Sequence, residues 1–246
     1  MFCCNSFTSC EEVLLPSSKP LLKKVVYTCI CSNYEKPILH SYIRDDWDYI
    51  CFTDDETLLQ TGHSQWMIRP LQFQALDGTR NNRWHKMFPH KILNEYDISL
   101  YVDGNIDIIA PNVFDYIDSE LLDKEKELLA VNKHPKRTCI YDEAITCKKY
   151  KKDQDSLIDT QMQIFRELNY PIKNGLKENN MIYRIHHNDK VKAIMEEWWW
   201  WVSNYSKRDQ LSFDYVLWKY NFKVHVFKEK YVRNPKYAKI LPHDNK

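Results

Sequence analysis

Short apolar runs rich in β-branched and aromatic residues alternate with longer stretches of helical periodicity, and this alternation restricts the fold more than any other feature. Val25-Val26-Tyr27-Thr28-Cys29-Ile30 reads as a buried strand. Tyr49-Ile50-Cys51-Phe52-Thr53 is a second, ending at Asp54-Asp55, and Trp66-Met67-Ile68-Arg69 a third, closed by Pro70. Ile98-Ser99-Leu100-Tyr101-Val102 runs straight into Asp103-Gly104-Asn105, and Ile106 to Ala110 continues extended. Leu128-Leu129-Ala130-Val131, entering His134-Pro135, and Val224 to Phe227 complete the set.

Between these lie helical segments. In Arg80 to Tyr96, apolar Trp84, Met87, Phe88 and Ile92 recur near helical spacing, with Arg83, Lys86, His90 and Asn94 as a polar stripe. Pro89 predicts a kink or two short helices there. Helices are expected over 153–169, Asn188 to Tyr205 and Ser206 to Tyr220. The Trp198 to Trp201 run belongs mainly to the core, with at least one ring facing outward. Strands alternating with helices predict one α/β domain with a mixed sheet, spanning 24–230. Residues 1–23 read as a loosely held arm and 231–246 as a basic, irregular tail.

A net charge of +1 with scattered Lys and Arg argues against nucleic acid as a partner. No apolar run approaches a membrane span and the start lacks signal-peptide regions, so the expected location is cytoplasmic. Cys3-Cys4 is a candidate acylation site. The eight cysteines include no CxxC pair, which disfavours a zinc knuckle and favours reduced, mostly buried thiols.

Four glycines, at 62, 78, 104 and 175, cannot build a G-x-G-x-x-G fingerprint or a P-loop, and G-x-S-x-G is absent. The sharpest constellation is Asp103-Gly104-Asn105 at a strand end. A carboxylate and an amide oxygen two residues apart can hold one face of Mg²⁺ or Mn²⁺, leaving positions for water and a diphosphate. The same residues also read as a turn. Asp209 and Gln210 start a helix where they can face a ligand, although Ser206 and Asp209 also fit a capping box. Arg83 and Lys86, one turn apart, can clamp a diphosphate or form a solvated face. His134-Pro135-Lys136-Arg137 with Asp142-Glu143 offers a base, cations and carboxylates near a strand end, or simple loop polarity.

Arg83-Trp84-His85-Lys86, Tyr101-Val102-Asp103-Gly104-Asn105, His134-Pro135, Tyr141-Asp142-Glu143-Ala144 and Arg208-Asp209-Gln210-Leu211-Ser212-Phe213, in that order, resemble a glycosyltransferase-like family. Its plant members are described as mucilage-related glycosyltransferases or as alkaline ceramidases. The resemblance covers 25–228, and the family is similar to glycogenin-like, retaining glycosyltransferases of the GT-A fold. It implies a single GT-A-like (Rossmann-like) domain, a nucleotide-sugar donor, Mn²⁺ or Mg²⁺ and an Asp-x-Asp-type motif, here Asp-Gly-Asn. It further implies metal binding by Asp103, Asn105 and His243, with His225 as the alternative to His243. Thr28, Asp54, Asp55, Arg83, Lys86, Asp103, Gly104 and His134 are then expected around the donor, and Asp209 and Gln210 at the reacting sugar. The acceptor, a glycan, lipid or protein, stays open. A non-catalytic scaffold and a metal-dependent amide hydrolase are the rival readings.

Overall fold

The computed structural model describes residues 22–124 and 126–243; Cys3, Cys4 and Cys10 of the expected arm lie outside them. Four strands, β1 (Lys24–Ile30), β2 (Asp48–Thr53), β3 (Met67–Pro70) and β4 (Ile98–Val102), run parallel. β4 is followed by the short β5 (Ile106–Ile108), and further on come β6 (Leu129–Lys133), β7 (Lys177–Arg184) and β8 (His225–Val226). The sheet order is β3-β2-β1-β4-β7-β6-β8, with β7 antiparallel to both β4 and β6. A mixed sheet flanked by helices is therefore what the chain forms.

Strand alternation sends side chains to two layers. Val25, Tyr27 and Cys29 face a core shared with α2 (Gly78–Met87), α5 (Ile140–Lys149), α6 (Asp155–Glu167), α7 (Asp189–Asn204) and α8 (Gln210–Lys219). Val26 and Ile30 face the opposite layer. That layer is built from Trp47, from α4 (Asn112–Tyr116) with its π-helical continuation Ile117–Lys124, and from Phe227 and Tyr231. Each fully buried aliphatic or Phe side chain there contributes about 1.5–3 kcal/mol of burial free energy. Two smaller helices, α1 (Glu56–Thr61) and α3 (Pro89–Ile92), complete the set. Pro89 does split the expected helix: α2 stops at Met87 and Pro89 opens α3, where its missing N–H costs nothing. Within the tryptophan run, Trp198 and Trp201 are buried and Trp200 faces outward. Cys29, Cys31, Cys51, Cys139 and Cys147 are buried free thiols. No described helix is long and apolar enough to cross a membrane.

Two regions depart from the sequence expectation. Residues 231–240, read as an irregular tail, instead enter the fold. Tyr231 and Val232 are buried, and β9 (Ala238–Ile240) pairs antiparallel with β5. Strand β7 was not expected at all, because Lys177-Glu178-Asn179-Asn180 reads as a polar loop. Its two ends are unlike. At one end Arg184 is wholly buried, donating from Nη1 to the Lys86 carbonyl (2.6 Å) and from Nη2 to the Tyr27 hydroxyl (2.6 Å). Tyr27 in turn donates to the same carbonyl (2.9 Å), so the last turn of α2 is pinned to the sheet. At the other end the register jumps from Val131↔Ile182 to Asn132↔Glu178. One step on β6 thus spans four on β7, and Asn179–Met181 bulge out of the β6 ladder. Bulges of this kind re-aim side chains beside binding sites.

Candidate functional site

In an open α/β sheet the crevice for a ligand lies beyond the carboxyl ends of the strands, where the strand order reverses. Here that point falls between β1 and β4, whose neighbours lie on opposite sides. A cavity of about 510 Å³ occupies it. Cys29 to Ser32 following β1, Asp103 and Asn105 following β4, and Glu178 to Asn180 of the β7 bulge line it. One face of α2 along its whole length, the start of α8, Lys152 between α5 and α6, and His243 close it.

The wall formed by α2 and the start of α8 carries an ion cluster. Lys86 Nζ lies 2.7 Å from Asp209 Oδ2 and 3.6 Å from Asp103 Oδ1, and Arg83 Nε lies 3.2 Å from Asp209 Oδ2. Lys86 and Asp209 are both almost fully buried. Burial by itself would raise the Asp209 carboxyl, but the charges of Arg83, Lys86 and Arg208 outweigh it and hold the group well below the usual carboxylate range. Burial pushes the Lys86 ammonium down, against the pull of Asp103 and Asp209. Asp209 also caps α8, accepting from the Gln210 N–H (3.0 Å). The expected capping box is not formed, since the Ser206 hydroxyl donates to Asp153 (2.8 Å).

At the end of β4 the Tyr101 hydroxyl donates to Asp103 Oδ1 (3.0 Å). Gly104 leaves space for a neighbour, because a Cβ there would lie 2.4 Å from Glu35 Oε1. Asn105 Nδ2 donates to the Leu241 carbonyl (2.8 Å) and sits 3.5 Å from His243 Nε2. Pairing of β9 with β5 thus carries His243 beside Asn105. His243 Nδ1 donates to Glu35 Oε2 (2.7 Å), the carboxylate-to-imidazole arrangement that orients a metal-ligating histidine and here turns Nε2 toward Asn105. With the Asn105 nitrogen held by Leu241, the amide oxygen is the atom available to a ligand. Among the described residues no three His, Cys, Asp or Glu side chains gather as a metal cluster. The available set is one carboxylate, one amide oxygen and one imidazole, which suits a divalent ion that keeps several positions for solvent or phosphate oxygens.

The β7 wall is different. Asn179 is 2% exposed, lines the cavity, and neither atom of its amide has a hydrogen-bond partner. Buried polar groups are nearly always satisfied, so an amide left without a partner at a cavity wall is a candidate for contact with a ligand.

The family model for the TOD1/MUCI70, glycosyltransferase-like domain matches residues 23–240. The chain belongs to that family. This glycosyltransferase-like domain is also similar to two solved structures. One is the apo form of the WbbM bifunctional glycosyltransferase, at 12% identity and a TM-score of 0.48, with 87% of this chain and 40% of that chain covered. The other is the apo form of mouse xyloside xylosyltransferase 1, at 10% identity and a TM-score of 0.46, with 84% of each chain covered. The domain therefore spans two-fifths of the length of the first. No curated protein sequence matches it.

Of the residues expected from sequence, the cavity of the glycosyltransferase-like domain brings together Arg83, Lys86, Asp103, Asn105, Asp209, Gln210 and His243, with Gly104 beside them. Arg83 and Lys86 are neither a solvated face nor an open clamp, because both are engaged by Asp209. Four others stand elsewhere. Thr28 lies within β1 at 1% exposure and does not reach the cavity. Asp54 accepts from the Ser32 N–H (2.9 Å) and so shapes the loop after β1 from behind. Asp55 caps α1, accepting from the Thr57 N–H (2.9 Å). His134 is separated from β4 by β7, and its Nδ1 accepts from the Arg137 N–H (2.9 Å). It lines a second cavity of about 190 Å³, and Glu143 of α5 closes its group as the partner of Arg137. His225 is also remote, bonded to the Tyr116 hydroxyl (2.8 Å).

Sequence reasoning missed Glu35, Lys152, Glu178, Asn179, Arg208 and Arg233 as cavity residues. A signal existed for Asn179. Two adjacent amides directly before the apolar Met181-Ile182-Tyr183 mark a strand whose polar end must face something other than the core.

Proposed function

We propose that this domain transfers a sugar from a nucleotide-sugar donor to a hydroxyl acceptor, assisted by a divalent ion at Asp103, Asn105 and His243. The single observation that carries the reading is the meeting, at the switch-point cavity, of a hard-cation donor set with a buried, ionised Asp209 and an unpartnered Asn179. An imidazole among the oxygens favours Mn²⁺ over Mg²⁺. When bound, the ion neutralises charge on the departing diphosphate.

The chain's own groups supply the rest. Lys86 and Arg83 keep Asp209 ionised and fixed, so that a carboxylate faces the sugar where positive charge develops. Tyr101 orients Asp103 from below. The Asn179 amide offers a donor and an acceptor to adjacent sugar hydroxyls, and Gln210 stands beside Asp209 at the mouth. Retention of configuration is part of the proposal and is read from the anomer formed in an NMR time course.

The test is a thermal-shift series with UDP- and GDP-sugars, with and without Mn²⁺. A donor at a hundred times its dissociation constant adds about 2.7 kcal/mol, roughly 5–10 °C in a domain of this size. The shift is expected only with Mn²⁺ and is expected to vanish in Asp103→Ala. Equal shifts in Asp103→Ala, or none with any donor, overturn the reading.

A further inference from the structure

Pairing off the charges of the main cavity leaves a remainder. Five cationic side chains line it: Arg83, Lys86, Lys152, Arg208 and Arg233. Arg83 and Lys86 lie on Asp209, and Arg233 is paired with Glu178, its Nε donating to Oε2 (3.0 Å). His243 takes Glu35. Among the described residues, no carboxylate lies within ion-pair distance of Arg208 or Lys152.

The two cations reach the cavity by different routes. Arg208 immediately precedes the buried Asp209. Its Nε is shielded from solvent without a hydrogen-bond partner, and its guanidinium lies beside the Cys147 thiol, which burial nonetheless pushes up to about 11, and near Tyr34 on the facing loop. Lys152 stands exposed at the rim, after the left-handed Lys151 (φ 49°) that ends the α5 turn. A guanidinium with an unsatisfied buried N–H presents a planar fork suited to two oxygens of one anion, and an ammonium beside it supplies a mobile second charge.

We infer that Arg208 and Lys152 form an oxyanion subsite of the cavity, taking a phosphate or carboxylate group of the substrate. It deepens the proposed glycosyl transfer by assigning the anion contacts to these two residues, in place of the Arg83 and Lys86 pair already held by Asp209. The shared chemistry is an oxyanion, and its source is either the diphosphate of the donor or an acidic group on a sugar.

Calorimetric titration of the intact protein with two probes separates these sources: inorganic pyrophosphate, and glucuronate, which carries a carboxylate and no phosphate. One of them is expected to bind, more weakly as salt rises, and Arg208→Gln and Lys152→Met are each expected to weaken it roughly tenfold. Lys190→Met, an exposed lysine on α7, is expected to leave binding unchanged. Lys152 is exposed and makes no ion pair, so its variant keeps the inference testable even if Arg208→Gln fails to fold. Absence of binding by both probes, or equal binding by wild type and both variants, overturns it. The two proposals fail separately. Pyrophosphate binding that depends on Arg208 and Lys152, without any nucleotide-sugar turnover, leaves the subsite standing and removes the transferase. Turnover with an unchanged KM for the nucleotide-sugar and unchanged probe binding in both variants does the reverse.

Discussion

Two walls of the same cavity follow opposite rules. On the α2–α8 side Lys86, Arg83 and Asp209 are partnered within the protein: Lys86 and Arg83 lie against Asp209, and each group is buried or nearly so. On the β7 side Asn179 is buried with neither of its amide atoms hydrogen-bonded within the protein. The first wall is closed on itself and sets the geometry, whereas the second is complete only with a ligand. A site needs both, because rigid charges positioned in advance stabilise a transition state only if something else grips the substrate.

The largest effect expected from this contrast is on stability. Lys86→Met removes the 2.7 Å partner of Asp209 and leaves a buried carboxylate with Arg83 as its remaining ion-pair partner, so chemical denaturation is expected to show a loss of about 3–5 kcal/mol. A loss below about 1 kcal/mol would mean that Arg83 carries the neutralisation by itself.

A smaller effect follows from acid. The Asp209 carboxyl is held below its ordinary value of 3.8, so its contribution is complete above that pH and is lost as the pH falls through and below it. Asp209→Asn is therefore less stable than wild type at pH 7, and the gap closes below pH 3.8 when urea midpoints are compared. His40 and His85, both lowered to about 4 by burial, destabilise the fold between pH 6.5 and 4 in both proteins and cancel from the difference. A gap that stays constant down to pH 2.5 would mean that the pairing does not depend on ionised Asp209.

The smallest effect on stability belongs to the other wall. Asn179→Ala is expected to change folding stability by less than about 1 kcal/mol, since no protein hydrogen bond is lost. The same change is expected to lower kcat/KM roughly ten- to a hundredfold through lost sugar contacts. A large fall in stability would show that Asn179 is structural and would erase the distinction between the walls.

The legible part of the molecule is the part where hydrophobicity and geometry agree. Strands β1, β2, β4 and β6 are buried on both faces and read as apolar runs, and Pro89 punctuates α2 and α3 as its ring chemistry requires. Strand β7 was missed because its polar half lines the cavity and its buried end is an arginine, leaving only the short apolar Met181-Ile182-Tyr183 to mark it. Helix α5 was hidden in the same way, with Asp142 and Glu143 in its first turn looking like loop polarity. Asp103, Asn105, Arg83, Lys86, Asp209 and Gln210 were visible through the local pattern around each. Glu35, Arg208 and Arg233 were not, because their meaning depends on contacts made only after the sheet has assembled.

The β5–β9 ribbon ties the candidate metal position to the far end of the described chain. Asn105 and the Leu241 carbonyl that fixes its amide are 136 residues apart, and His243 follows two positions later. Ala238 of β9 packs into the second apolar layer, whereas Leu241 and His243 lie beyond the paired residues. If the proposed function holds, displacing a few residues after 240 is expected to remove the contacts of Leu241 and His243 with Asn105 while the paired sheets keep their register.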